Sequence, residues 1–365
     1  MAARRSRFEI GPTAALVLLT LGGTFAACAL GLLACAVVAA ADGRALPAFA
    51  LTGAGALLLS VACLAGSRGG RRGLNVPPIA GLLAVTLAWV GASVVGGVAL
   101  LAAGTFSAPL DALFEAASGF TTTGATLIDG LEAEPDAVLL WRSISQWMGG
   151  VGIVVVVVAI APVTGPGVQR AFYAETTGIT TERLTPRIID TAKIIAAIYL
   201  VLSAGAIVAY LAVGMGGFDA VNHAMTSVAT GGFSTRDDSI AAFDSFPIEL
   251  VAIVFMILGG VNFAFYWRAV RRKPVMPQGA EVIAFLAILA GAIAVVTFSV
   301  ELAGDASLRD AAFSVTSIVT STGYTTADYD SWNQFARVAL LILFSSGACA
   351  ASTAGGIKVI RTVLL

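Results

Sequence analysis

Three clusters of threonine, serine and glycine interrupt the long apolar segments of this sequence. They read FTTTGAT at 120–126, VATGGFS at 228–234 and VTSTGYT at 319–325. Backbone carbonyls and neighbouring hydroxyls can replace the hydration shell of a monovalent cation. Glycine permits backbone conformations that other residues disfavour, and a narrow wall of carbonyls needs such conformations. The clusters therefore predict segments of a cation-selectivity filter.

Each cluster follows a short semi-polar segment, and the three segments align with one another. They are residues 110–120, 218–229 and 309–320, and a glycine stands thirteen residues after an aspartate in each case: Asp111 and Gly124, Asp219 and Gly232, Asp310 and Gly323. These segments are too short to cross a bilayer, so we interpret them as half-helices that enter the membrane and return. The helix dipole then favours a cation at their inner ends. The aspartates are predicted to cap the first amides.

Long apolar segments make up most of the remaining chain. The 365 residues are 58% hydrophobic and 12% charged, with a mean hydropathy of +0.91. A soluble domain carries about twice that share of charge, and about 20 apolar residues cross a bilayer as one helix. Eight such segments occur, at 13–40, 47–66, 77–103, 137–163, 192–214, 247–268, 280–303 and 335–361. The sequence predicts an all-α integral membrane protein with eight spans and three re-entrant half-helices.

The order of long helix, half-helix, polar loop and long helix occurs three times. We assign an N-terminal transmembrane hairpin to residues 1–72 and pore repeats to 77–163, 192–268 and 280–365. A repeat of this kind determines the whole fold. Gly/Thr turns that merely connect helices are the alternative interpretation, but three clusters in register favour a filter built from several loops around one axis.

Basic and acidic residues are predicted to lie on opposite faces of the membrane. Sixteen of the 21 lysines and arginines fall in alternate connections, which predicts that these connections and the N-terminus are cytoplasmic. Seventeen of the 22 acidic residues fall on the other face, beside the half-helices. This acidic face either concentrates cations in a vestibule or reflects only the exclusion of positive charge from translocated connections.

Residues for catalysis are scarce. The four cysteines, Cys28, Cys35, Cys63 and Cys349, lie in apolar segments and are interpreted as buried thiols. The single histidine, His223, is interpreted as a packing residue. We therefore expect a protein that is not an enzyme, has no metal cofactor and does not bind nucleic acid. A secondary carrier with broken helices is an alternative, but the repeats here are parallel and the acids lie at the ends of the spans.

Six motifs resemble those of a known family. They are SGFTTTGAT (118–126), SQWMGGVGIVVV (145–156), ERLTPRIIDTAK (182–193), ATGGFSTRDDSI (229–240), TSTGYTT (320–326) and GACAASTAGGIKVIR (347–361). Together they resemble the TrkH/KtrB/HKT superfamily of cation transporters, and the N-terminal hairpin is similar to that of the TrkH branch. The resemblance covers most of the chain from about residue 77 and implies a K⁺-channel-like architecture.

The resemblance implies uptake of K⁺, the transported ion, through a filter of nine residues. These are Thr122, Thr123, Gly124, Thr230, Gly231, Gly232, Ser321, Thr322 and Gly323. A serine in the first loop accompanies Na⁺ preference in some plant members, whereas this chain has glycine there. A Na⁺-permeable member of the same superfamily is the alternative.

The resemblance also implies an intramembrane gating loop inside the last span. The segment GACAASTAGG, residues 347–356, is rich in glycine and small polar residues, which lower helix stability within a span. The predicted gate residues are Gly347, Ala351, Ser352, Thr353, Gly355, Gly356 and Lys358. A small-residue packing face between helices is the alternative interpretation of this segment.

The family context further implies partners and a location. We expect the inner (plasma) membrane with its lipid, a homodimer, and a cytoplasmic ring of nucleotide-binding regulatory subunits of the TrkA/KtrA kind, with docking surfaces at 164–192 and 268–273. The family has four repeats around the pore, whereas this sequence ends after the third. We expect a fragment of a four-repeat protein; assembly with a second polypeptide and a non-conducting chain are the alternatives.

Overall fold

The computed structural model describes residues 11–68, 78–160, 188–272, 274, 276, 278–359 and 361. Within these ranges the regular structure is helical, apart from one isolated bridge between Ser346 and Ile357. Several large apolar side chains on the outside are more than two-thirds exposed, among them Leu51, Val201 and Leu302. An apolar exterior of this extent is stable in a bilayer. The chain is therefore a multi-pass membrane protein.

An antiparallel hairpin precedes the repeats. Helix α1 (Pro12–Asp42) ends at Gly43, whose left-handed backbone (φ 72°) closes the turn, and α2 (Leu46–Ser67) returns beside it. The Ser60 hydroxyl donates to the Gly22 carbonyl across the hairpin at 2.7 Å. A Cβ at Gly22 would lie 2.7 Å from the Leu64 side chain, so a small residue permits the close approach of the two helices.

Three units with the same order of elements follow the hairpin. Unit 1 contains α3 (Pro78–Ala103), α4 (Pro109–Phe120) and α5 (Asp136–Ile160); unit 2 contains α6 (Ile188–Ala212), α7 (Gly217–Val228), α8 (Phe246–Gly260) and α9 (Phe263–Val270); unit 3 contains α10 (Gln278–Ala303), α11 (Leu308–Val319) and α12 (Gln334–Ser345). The short helices α4, α7 and α11 each have 12 residues and lie within one residue of the predicted short segments. Each is followed by a connection that contains a short 3-10 helix and then by a further α-helix of the unit.

The number of long apolar helices is smaller than predicted. Among the described residues, five helices are long and apolar enough to cross a membrane, and α8 with α9 would make a sixth if the bent pair is one span. The predicted continuous span 247–268 is wrong, because the chain bends by 91° between Gly260 and Phe263. The predicted span 335–361 is also interrupted, because α12 ends at Ser345 and residues 346–358 are not helical.

The bend between α8 and α9 has a local cause. Val261 is extended, and the Asn262 side chain accepts a hydrogen bond from the Ala264 amide at 2.8 Å, which caps α9. Gly259 packs so closely that a Cβ there would lie 2.8 Å from the Val228 carbonyl oxygen. Hydropathy does not detect this bend, because the residues on both sides of it are apolar.

Each unit packs around its own hydrophobic cluster, and neighbouring units share side chains. One cluster joins the hairpin to unit 1 around Trp141, a second surrounds Tyr199 in unit 2, and a third surrounds Phe285 in unit 3. Phe313 and Tyr324 of unit 3 belong to the second cluster. The units therefore form one packed body, and this packing brings the polar loops together.

The cysteines are free thiols, as the sequence predicts. Cys28, Cys35 and Cys349 are buried, and Cys63 is partly buried. Many of the basic residues that predict the orientation, among them Arg4, Arg71 and Arg170, and most of the proposed docking segment 164–192 lie outside the described residues.

Candidate cation filter and intramembrane loop

The loops after α4, α7 and α11 begin with the same backbone geometry. We call residues 121–126, 229–234 and 320–325 loops 1, 2 and 3. In each loop, three consecutive amides donate to carbonyls of the preceding short helix over 2.8–3.1 Å: Thr121 to Ala117, Thr122 to Gly119 and Thr123 to Ser118; Ala229 to Met225, Thr230 to Ser227 and Gly231 to Thr226; Thr320 to Thr316, Ser321 to Ile318 and Thr322 to Ser317. These bonds satisfy carbonyls that the helix end would otherwise leave unpaired.

A left-handed backbone recurs at the same two positions of every loop. The φ angles are 55° at Thr122, 51° at Thr230 and 56° at Ser321, and 78° at Gly124, 79° at Gly232 and 88° at Gly323. Each of the three hydroxyl residues donates to the carbonyl just before it over 2.6–2.7 Å, a local bond that helps such a residue to hold this conformation. A left-handed backbone is uncommon for residues other than glycine, and here it recurs in register in all three loops.

The three loops contact one another through their glycines. A side chain at Gly124 would collide with the Gly231 carbonyl oxygen, and one at Gly232 would collide with the Thr322 carbonyl oxygen. Loop 2 therefore lies between loops 1 and 3. Of the three equivalent glycines, Gly124 and Gly232 are partly buried, whereas Gly323 is exposed and a Cβ there would meet nothing within 4 Å.

A buried side chain of α5 is hydrogen-bonded to the backbone of loop 2, and the sequence interpretation gave this residue no role. Gln146 on α5 is fully buried; its Nε2 donates to the Gly231 carbonyl at 2.6 Å, and its Oε1 accepts from the Phe233 amide at 3.0 Å. The glutamine thus fixes the backbone on both sides of Gly232. A buried polar residue in an apolar span is itself a signal of function, and this signal could have identified Gln146 within the SQW motif.

Tyr324 ties loop 3 to the second short helix. Its hydroxyl bonds with that of Thr226, donates to the His223 carbonyl at 3.2 Å and is buried. Both ring nitrogens of His223 are also engaged, one with the Asp219 carbonyl at 2.8 Å and one with the Ser234 hydroxyl at 3.0 Å. This arrangement fits the packing role predicted for the histidine.

The predicted capping aspartates differ among the three short helices. Asp310 forms a capping box with Ser307 at the start of α11. The carboxylate of Asp219 instead accepts from the Thr235 hydroxyl at 2.6 Å and from Arg236 at 3.0 Å, and no side chain caps α7. The capping role is therefore wrong for Asp219. No side-chain cap is present at the start of α4, where Asp111 lies in the first turn.

Residues 346–358, the intramembrane loop, fill the bend between α8 and α9. The Cys349 amide donates to the Gly260 carbonyl at 3.0 Å, the Thr353 amide donates to the Gly259 carbonyl at 3.2 Å, and the Phe263 amide donates to the Ala351 carbonyl at 3.0 Å. Backbone groups in a membrane must find partners within the protein. The loop and the bend satisfy this need for each other.

The intramembrane loop also contacts loop 3 and the end of α7. The Gly355 amide donates to the Ser321 hydroxyl at 2.6 Å, and the Thr353 hydroxyl donates to the Val228 carbonyl at the end of α7 at 2.9 Å. At its neck, the Gly347 amide donates to the Ile357 carbonyl at 2.8 Å, and Gly356 is left-handed with a φ of 74°.

The remaining predicted gate residues stabilise the shape of the loop. The Ser352 hydroxyl donates to the Cys349 carbonyl at 2.6 Å, and Ala351 has a φ of 51°. Lys358 Nζ donates to the Ala354 carbonyl, so the lysine closes the end of the loop.

A buried carboxylate that the sequence interpretation did not assign anchors the intramembrane loop. Glu281, in the first turn of α10, accepts from the Ala350 amide at 2.6 Å through Oε1 and from Asn262 Nδ2 at 3.3 Å through Oε2. It therefore connects the loop to the residue that caps α9. A single glutamate at the start of an otherwise apolar span was the available signal.

Comparison with known proteins decides the family. A model described as "TrkH: Cation transport protein" matches residues 79–302 and 275–365. The chain belongs to this family. The match confirms the resemblance seen in the motifs, and it agrees with the prediction of a transport protein rather than an enzyme.

Individual members of the TrkH family align over most of the chain. The Trk system potassium uptake proteins TrkH of Halomonas elongata and Vibrio parahaemolyticus are 39% and 40% identical to it over 293 and 299 residues, in each case 78% of this chain and 61% of the relative. The crystal structure of the potassium transporter TrkH from Vibrio parahaemolyticus superposes with a TM-score of 0.83 at 34% identity, covering 96% of this chain and 74% of that one. The chain thus spans 61% of the length of these curated relatives.

Proposed function

We propose that this chain supplies three walls of a K⁺-selective filter in a potassium uptake protein. The observation that carries the proposal is the left-handed backbone that recurs in pairs, at Thr122 and Gly124, at Thr230 and Gly232, and at Ser321 and Gly323. Three copies of one backbone that contact in order form the kind of carbonyl- and hydroxyl-lined surface that replaces an ion's hydration shell. The relatives that align with the chain are named potassium uptake proteins, which supports K⁺ as the ion.

The short helices add an electrostatic contribution to this surface. The last turns of α4, α7 and α11 run directly into the three loops, and the carboxyl end of a helix carries about half a negative charge. Three such ends around one site favour a cation without placing a carboxylate in its path. A neutral wall also allows the ion to leave again, which conduction requires.

A further wall of the same kind fits beside loops 1 and 3. A cavity of about 400 Å³ lies there, lined by Thr123, Ser321 and Gly323 together with Arg337 and Leu341 of α12. Between neighbouring loops a carbonyl oxygen packs on a filter glycine, and Gly323 presents an open face for the same contact. We propose that a fourth loop of similar chemistry completes the filter at this position.

We propose that the intramembrane loop is the gate. It is hydrogen-bonded to Ser321 in loop 3 and to Val228 at the end of α7, directly before loop 2. Its small side chains leave little steric obstruction to displacement, as a moving gate requires. The alternative role, packing between helices, predicts that removing the loop abolishes transport rather than accelerating it.

The remaining elements of the proposal rest on the family resemblance. We propose the inner membrane with a cytoplasmic N-terminus, a homodimer in lipid, and a cytoplasmic nucleotide-binding regulatory partner. Cation flux without substrate turnover distinguishes this function from that of an enzyme. Cation flux that does not depend on the gradient of a second, coupled ion distinguishes it from a secondary carrier.

The test is Rb⁺ and Na⁺ uptake by a bacterial host that lacks its own K⁺ uptake systems. The chain is expressed alone and as an extended chain, in which residue 365 continues into the part of the Vibrio parahaemolyticus relative that follows the aligned region. Gly124→Ser is the variant and Gly130→Ser is its control; both glycines are left-handed, but Gly130 has open space around its Cα. We expect Rb⁺ uptake by the unsubstituted extended chain and a loss of K⁺/Na⁺ discrimination in Gly124→Ser only. Unchanged discrimination in Gly124→Ser would remove this glycine from the filter.

A further inference from the structure

An ion pair that the filter proposal does not use lies behind loops 1 and 2. Arg142 on α5 and Glu115 on α4 are 2% and 1% exposed, and Arg142 Nε lies 2.8 Å from Glu115 Oε1. Removing two charges from water costs several kcal/mol per ion, and an apolar pair of similar volume often stabilises a protein at least as well. Stability alone therefore does not explain an ion pair at this position.

The pair reaches the same position in both loops. The Arg142 guanidinium donates to the Thr126 hydroxyl in loop 1 at 3.2 Å and to the Ser234 carbonyl in loop 2 at 3.0 Å. Each of these residues stands two places after its filter glycine, Gly124 or Gly232. One rigid group therefore holds equivalent points of two neighbouring loops.

Additional contacts restrict how either loop can move. Glu115 accepts from the Thr126 hydroxyl and from the Leu127 amide, both at 2.9 Å, at the end of loop 1. The guanidinium also lies over the Phe233 ring of loop 2, with Cζ 4.1 Å from its centroid. A planar guanidinium with several fixed donors suits this bridging role, which a lysine with one terminal nitrogen cannot reproduce.

The corresponding position of loop 3 is held in a different way. Its equivalent residue, Thr325, donates its amide to the Ser239 hydroxyl at 3.3 Å, and its carbonyl accepts from the Ala241 amide at 3.2 Å. Ser239 and Ala241 lie in the short 3-10 helix that follows loop 2, so uncharged groups hold the end of loop 3 against unit 2. The charge pair between loops 1 and 2 adds a fixed spacing, while its own net charge of zero leaves the potential along the ion path nearly unchanged.

We propose that the Glu115–Arg142 pair is a positioning element that sets the spacing of loops 1 and 2 and thereby the discrimination between K⁺ and Na⁺. The inference rests on the proposed function of the loops as a filter. Gly124 and the Gly231 carbonyl are in tight contact, so a shift at Thr126 or Ser234 is transmitted to the glycines that line the proposed ion path. The pair does not touch the ion; it acts through the backbone that does.

The first test compares Arg142→Lys and the neutral double variant Glu115→Gln/Arg142→Gln with the unsubstituted extended chain. The matched control is Glu249→Gln/Arg309→Gln, because Arg309 and Glu249 form a two-bond ion pair at 2.7 Å on α11 and α8, outside the three loops. The readouts are membrane abundance, the concentration dependence of Rb⁺ uptake, and the ratio of Rb⁺ to Na⁺ uptake. A merely structural pair would change the abundance and leave this ratio as it is.

We expect both Arg142 variants to lower the Rb⁺/Na⁺ ratio by about fivefold or more, which corresponds to about 1 kcal/mol of discrimination, while the control stays within about twofold. If the Arg142 variants do not reach the membrane, Thr126→Val decides, because it removes one bridging hydroxyl from an exposed residue and leaves both charges paired. A ratio within about twofold of the unsubstituted chain in the variants that reach the membrane would overturn the inference. Absence of Rb⁺ uptake by the unsubstituted extended chain would instead refute the proposed function, and the inference with it.

Discussion

The carboxylate of Glu281 provides a test of whether the intramembrane loop opens. In Glu281→Gln, the side-chain oxygen can still accept from the Ala350 amide, but the new amide group then faces Asn262 Nδ2. Asn262 cannot turn its oxygen toward the substituted side chain without giving up the cap on the Ala264 amide. The substitution therefore removes one hydrogen bond and weakens a second, which had a charged acceptor.

The size of the effect follows from those two bonds. A hydrogen bond to a charged group contributes about 1.5–3 kcal/mol. Each 1.4 kcal/mol changes an equilibrium tenfold, so the population with a displaced loop should rise by about tenfold to about a hundredfold. Passive Rb⁺ influx in the extended chain should rise in the same direction, up to the limit that the fully open pore sets.

Cys349 offers a direct assay of this population. Its side chain is fully buried in the intramembrane loop, so reaction with a water-soluble thiol reagent requires displacement of the loop. The other cysteines, Cys28, Cys35 and Cys63, are replaced by alanine so that the labelling rate reports Cys349 alone. The matched control is Glu301→Gln, at the exposed far end of the same helix.

The predicted result is faster labelling of Cys349 in Glu281→Gln and no change in Glu301→Gln. If Glu281→Gln labels at the rate of the unsubstituted chain while its membrane abundance is normal, Glu281 does not hold the loop. If the unsubstituted chain already labels as fast as the unfolded protein, the loop is not closed and the gate proposal itself is wrong.

Two further predictions concern other contacts. Deleting Ala351 to Thr353 removes the bonds to Phe263 and Gly259, so Rb⁺ influx of the extended chain should rise; background influx at normal abundance would show that the loop is structural packing. In the hairpin, Gly22→Val should destabilise the protein by about 1–3 kcal/mol through overpacking, because its Cβ would meet Leu64. Gly55→Ala, which would meet nothing within 4 Å, is the control; equal thermal stability of the two variants would contradict this packing argument.

The short helices were predictable from the sequence because their evidence is local. In each unit the short helix, its aspartate and the glycine of the following loop lie within about 16 residues of one another, so spacing alone predicts helix, loop and register. The left-handed glycines at 124, 232 and 323 follow from the same pattern. These features need no knowledge of what packs against them.

The residues that hold the loops could not be predicted from spacing. Gln146 and Arg142 are separated from their partners in loop 2 by 85 and 92 positions, and Glu281 is separated from Ala350 by 69. Such pairs form only when the units pack together. The bend at Val261 was missed for the same reason, because its exposed backbone groups find their partners in unit 3.

The mutual dependence of the bend and the intramembrane loop has a consequence for biosynthesis. A ribosome completes residues 246–270 well before residues 346–358, and the earlier part of a chain generally folds first. At that stage the Gly259 and Gly260 carbonyls lack the amides of Thr353 and Cys349, and lipid offers no substitute. We therefore expect this segment to enter the membrane as one straight helix and to acquire its 91° bend only after the third unit has arrived.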